Sequence, residues 1–172
     1  MTSGGDLAPT KIYYQFMKNS AGQDNMNVDG SASATTSTRF FISCPDGDEL
    51  ELHRAIITIY DTKGMQPEEY GDLGSSLSAG WEMLVLSADG TTLGDLTGGV
   101  PIKSNAQLAQ VCYDVELMNL VNTTNATLKA RWTFSKGGHP VYLKQGQRLE
   151  MHIKDDLTGL LSQRVMIQGH KL

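Results

Sequence analysis

Two stretches of the chain alternate apolar and polar side chains with a strict period of two. Leu128, Ala130, Trp132 and Phe134 interleave with Lys129, Arg131, Thr133 and Ser135, and Leu149, Met151 and Ile153 interleave with Arg148, Glu150, His152 and Lys154. Successive side chains of a strand point to opposite faces, so each stretch builds one dry face and one wet face. That pattern belongs to antiparallel sheets covered on one side only. It constrains the fold more than any other feature of the chain.

The same period recurs from Arg39 onward. Arg39–Cys44 is strand-like and stops at Pro45-Asp46-Gly47-Asp48, a turn signal. Glu49–Asp61 alternates and then runs Ala-Ile-Ile-Thr-Ile-Tyr, continuously β-prone. Gly64–Ser78 is a Gly- and Ser-rich excursion in which Pro67-Glu68-Glu69-Tyr70 suggests a single helical turn. Trp81–Ala88 is a further strand, ending at the hairpin signal Asp89-Gly90, and Leu93–Pro101 is expected to be loop. Leu108–Val121 fits helix or strand, and its alternation with β-branched residues favours strand. Lys136–Pro140 and Lys144–Gln147 are turns, and Leu161–Gln168 supplies a last strand.

Eight or nine strands without a convincing long helix predict an all-β domain. Many short antiparallel strands in one domain pack as two sheets face to face, so the expected fold is an antiparallel two-sheet β-sandwich, wired as a jelly roll. The division expected along the chain is a polar N-terminal arm, residues 1–38, holding a short strand at 11–17, and a sandwich domain at 39–172. Lys18–Thr38 is Ser, Ala, Gly, Asn, Asp and Thr with few large apolar residues, which predicts a flexible arm on its own. Within it, Ile12, Tyr14 and Phe16 alternate with Tyr13 and Gln15. This island is either the first core strand, the reading preferred here, or an arm that pairs with a partner. Ile12, Tyr13, Tyr14 and Phe16 are the candidate partner-binding residues.

Composition narrows the function. The formal charge is -5, and the basic residues form no run, whereas a nucleic-acid binder presents a basic stripe to replace phosphate counterions. Apolar stretches are far shorter than a membrane span, and the start Met-Thr-Ser-Gly-Gly-Asp lacks the features of a signal peptide. Cytosolic synthesis, no nucleic acid and no membrane are the expectations. Cys44 and Cys112 lie in or beside apolar runs and read as separate buried thiols.

A search for chemistry turns up little. His53, His139, His152 and His170 share no metal-ligand spacing, and His53 and His152 fall on polar strand faces, where a solvated histidine is expected. Asp46, Asp48 and Glu49 offer the beginning of a calcium loop without its full pattern. Asp155-Asp156 reads as a turn, Gly-x-Ser-x-Gly does not occur, and Gly98-Gly99-Val100-Pro101 lacks the ending of a phosphate loop. Trp132 lies on a dry face and is expected in the core. No catalytic residue and no cofactor are assigned.

The C-terminal stretch His152-Ile153-Lys154-Asp155-Asp156-Leu157-Thr158-Gly159-Leu160-Leu161, followed by Arg164-Val165-Met166-Ile167-Gln168-Gly169, resembles the tail of structural proteins of tailed phages. The resemblance covers this one end of the chain. It implies a non-enzymatic capsid decoration (cement) protein of jelly-roll type that clamps neighbouring major capsid protein subunits from outside. It also implies location on the virion surface after assembly in a host cytoplasm, and a homo-oligomer, with a trimer at a symmetry axis one form. The competing reading is a carbohydrate-binding β-sandwich module of a virion fibre.

Overall fold

A computed structural model describes residues 11–27, 37–112, 114–119, 125–134 and 139–172. Among these, ten strands form two antiparallel sheets. The larger sheet has six strands, in the order β1 (Lys11–Phe16), β10 (Ser162–Lys171), β3 (Leu50–Asp61), β7 (Ala126–Thr133) and β6 (Asp114–Asn119), with β8 (Val141–Leu143) also paired to β3. The smaller has four, ordered β2 (Thr38–Ser43), β9 (Arg148–Ile153), β4 (Trp81–Leu86) and β5 (Thr92–Asp95). The chain crosses from sheet to sheet, and the last two strands insert between early ones: β10 between β1 and β3, β9 between β2 and β4. That is the wiring of a jelly roll.

The alternation read from the sequence sets what is buried. Leu128, Ala130 and Trp132 of β7 and Leu149, Met151 and Ile153 of β9 face the space between the sheets. They meet Ile57 and Ile59 of β3, Phe40 and Ile42 of β2, and Trp81 and Met83 of β4, all at most 1% exposed. Each fully buried Leu, Ile, Phe or Met contributes about 1.5–3 kcal/mol. The two thiols are separate and buried, and burial pushes the Cys112 thiol up to about 12.

Four expectations change. Leu108–Val121 is not one strand: a short helix α1 (Asn105–Val111) precedes β6. Its N-cap Ser104 accepts a hydrogen bond from the Gln107 amide, and Gln107 Oε1 accepts from the Lys103 amide at 2.6 Å, close to a capping box. The loop expected at Leu93–Pro101 contains most of β5, which pairs with Leu84–Leu86. Pro67–Tyr70 forms turns rather than a helical turn; Tyr70 is fully buried, donates to Gln163 Oε1 at 2.6 Å and accepts from Trp81 Nε1 at 2.8 Å.

The boundary expected at 38/39 does not separate an arm from a body. β1 pairs with β10 from Lys11↔Lys171 to Phe16↔Met166, and Met17 and Met26 are fully buried. Lys18 bridges Phe41 of β2, and Asn25 Oδ1 accepts the Gln163 amide at 3.1 Å. Two methionines and hydrogen-bonding side chains thus anchor residues 18–27, which the polar composition of the run conceals. The rest of the expected arm, 1–10 and 28–36, lies outside the described residues.

Candidate docking face

β1 is an edge strand: among the described residues nothing pairs with its other side over Lys11–Phe16. The Met17 amide donates to the Val165 carbonyl at 2.9 Å, whereas the Lys18 amide donates away, to Phe41, at 3.2 Å. Backbone polar groups alternate sides along an antiparallel strand, so the amides of Ile12, Tyr14 and Phe16 point to the free edge. An edge of this kind is a template for another chain unless charge, proline or a bulge blunts it. β1 carries one charge, Lys11, and no proline.

The side chains of the same three residues stand on the outer face of the larger sheet. Ile12 is 67% exposed, Tyr14 60% and Phe16 39%. Each begins a row across the sheet: Ile12–His170–Glu51, Tyr14–Gln168–Arg54 and Phe16–Met166–Ile56. The third row is wholly apolar. Tyr142, 54% exposed, adds a third aromatic and donates from its hydroxyl to Glu51 Oε1 at 3.0 Å. Tyr13, grouped with the other three by the sequence, faces inward and packs against the core. Burial lifts its hydroxyl pKa to about 12.

The candidate calcium loop does not assemble. Asp46, Asp48 and Glu49 do not gather as a ligand set; Asp46 accepts from Gln145 Nε2 at 3.1 Å, and Asp48 pairs with Lys171 Nζ at 2.6 Å. Each of the two aspartates has its own donor, the neutral Gln145 amide for Asp46 and the Lys171 ammonium for Asp48. The histidines are not simply solvated. His152 lies 2.7 Å from the buried carboxylate of Glu150, which also pairs with Arg148. His53 and His170, 117 positions apart, approach to 3.1 Å across β3 and β10. Sequence spacing could not reveal that pair, because register alone brings it together.

The Asp155-Asp156 turn organises the end of the sandwich. Asp155, 6% exposed, accepts from the amides of Ser78 at 2.8 Å, Ala79 at 3.0 Å and Gly80. Asp156 accepts from the Thr158 amide at 2.9 Å, and Leu157 and Leu160 plug into the core. Asp155 thus holds loop 78–80 in place. Asp61, 1% exposed at the end of β3, accepts the amides of Thr62 and Asp72. Burial, and then the neighbouring Asp72 carboxyl, raise its pKa to about 6.

Compared with known proteins, the chain matches no family model, no curated protein and no solved structure.

Proposed function

We propose that this chain is a non-enzymatic virion structural protein, a capsid decoration protein that binds the major capsid protein shell through the β1 edge and the outer face beside it. One observation carries the reading: Ile12, Tyr14 and Phe16 stand exposed in a row on the same strand whose backbone faces an open edge. Exposed large apolar residues gathered on one patch mark interaction surfaces, and an open edge adds main-chain hydrogen bonds by strand addition. The jelly-roll sandwich and the resemblance at His152–Leu161 and Arg164–Gly169 support placing that partner in a capsid shell. The acidic balance of -5 speaks against nucleic acid as the partner.

The buried carboxylates favour a scaffold over catalysis, since Asp155 and Asp61 are engaged by backbone amides and Glu150 by Arg148 and His152. Assembly as a homo-oligomer at a shell symmetry axis follows from the symmetry of the surface it would clamp. A carbohydrate-binding module is the second reading. It is favoured by a polar recess of about 390 Å³ on the smaller sheet, lined by Asn19, Arg39, Phe41, Arg148 and Glu150, since sugar sites combine an aromatic wall with orienting polar groups.

Re-addition to shells stripped of the protein tests the proposal. The wild-type chain should co-sediment saturably, and a variant carrying Ile12→Ser, Tyr14→Ser and Phe16→Ser should remain in the supernatant while keeping its fold. Equal co-sedimentation of both would refute docking through β1. Failure of both, with retention on a glycan array, would replace the proposal by the second reading.

A further inference from the structure

We propose that Glu51, His53 and His170 form a binding site for a divalent transition metal of the zinc class. Their ligand atoms all lie within 4.8 Å of one another. His53 Nε2 is 3.1 Å from His170 Nδ1 and 3.8 Å from Glu51 Oε2. Zinc holds imidazole nitrogen at ~2.0–2.1 Å and carboxylate oxygen at ~2.0–2.2 Å, so neighbouring ligands of a tetrahedral site stand ~3.3–3.5 Å apart. The two distances bracket that span. Two imidazoles and one carboxylate are also a donor set that suits zinc in sites keeping an open position.

The backbone builds this cluster by a β-bulge. Gly169 pairs with Leu52 and Gln168 with Arg54, so His53 has no partner on β10. The extra residue sets both His53 and Arg54 on the outer face with Glu51 and His170, the local break in alternation that bulges commonly make beside functional sites. Gly169 permits the close approach: a Cβ there would lie 2.1 Å from the Glu51 carbonyl oxygen and 2.9 Å from the Leu52 Cα. Beyond the ligands, the Tyr142 hydroxyl occupies Glu51 Oε1 and leaves Oε2, the oxygen nearer His53, for the metal. Outer hydrogen bonds of this kind orient metal-binding carboxylates.

His53 and His170 line a recess together with Ile12, Tyr14 and Arg54. Arg54 places a positive charge beside the site, so binding is weaker than at a four-ligand structural centre. The metal site stands on Glu51, His53 and His170 alone and does not depend on the docking proposal. Two neutral histidines sharing a hydrogen bond would give the same 3.1 Å contact without a metal, and the experiment separates the two.

Titration of the untagged full-length chain with zinc chloride, followed by calorimetry, should show one saturable site. His53→Ala and His170→Ala should each weaken it at least 100-fold, while His152→Ala, at a histidine of the smaller sheet, should leave it unchanged. Circular dichroism of each variant checks that the sandwich is intact. Cobalt(II) in place of zinc should give the intense visible absorption of a tetrahedral centre in the wild type and not in His53→Ala. No saturable binding by the wild type, or equal binding by the His53 and His170 variants, overturns the proposal.

Discussion

Replacing Asp155 by alanine removes a buried carboxylate that receives three successive amides, those of Ser78, Ala79 and Gly80. Hydrogen bonds to a charged group contribute ~1.5–3 kcal/mol each, and a buried donor left without a partner costs the full desolvation penalty. The Gly80 amide is in a buried bond, whereas those of Ser78 and Ala79 are only partly buried and regain water in the variant. Taking ~2 kcal/mol for the first and ~1 kcal/mol for each of the others gives about 4 kcal/mol in all. In urea the midpoint should fall with an unchanged slope, and the thermal midpoint should drop by about 8–16 °C for a chain of this size. Asp155→Asn keeps one acceptor oxygen and should lose about half as much. A loss below ~1 kcal/mol for Asp155→Ala would refute the idea that this turn is a structural clamp.

Further outcomes follow from other parts of the sandwich. Asp61 binds its proton more tightly when folded, so its contribution is complete below pH ~4 and is lost as pH rises through about 6. Asp72→Asn relieves the neighbouring charge; in pH-dependent urea unfolding it should equal wild type near pH 4 and exceed it by ~1 kcal/mol at pH 7.5, whereas a pH-independent difference would contradict the assignment. Gly169→Ala forces a Cβ onto the backbone of Glu51 and Leu52 and should lower stability by ~2 kcal/mol or more by thermal unfolding; a neutral result would show that the bulge accepts a side chain. Serine at Ile12, Tyr14 and Phe16 together should change stability by less than ~1.5 kcal/mol, since surface changes fall within ~0.5 kcal/mol each, and a larger loss would mean these side chains serve the fold rather than a partner.

Strands half-buried against a core announce themselves, and β7, β9 and β3 lie where the alternation in residues 128–134, 148–154 and 49–61 places them. The helix α1 was hidden because its seven residues are too few to show a 3.6-residue period. The readable signal was Ser104 followed three residues later by Gln107, a capping pattern. Anchoring of residues 18–27 depends on Met17, just before the polar run, and Met26 within it, both fully buried. At the candidate docking face, the alternation of Ile12, Tyr14 and Phe16 was legible, including the opposite orientation of Tyr13. The cluster of Glu51, His53 and His170 was not, because it arises from β3–β10 register and a bulge at Gln168/Gly169, neither of which local sequence encodes.

Density-gradient sedimentation of a native lysate, with peptide mass spectrometry of every fraction, tests the decoration proposal most directly. The account predicts recovery of this chain in dense capsid-bearing fractions, at many copies per particle and in constant ratio to the major capsid protein. Recovery solely in the soluble fractions at the top of the gradient would contradict it.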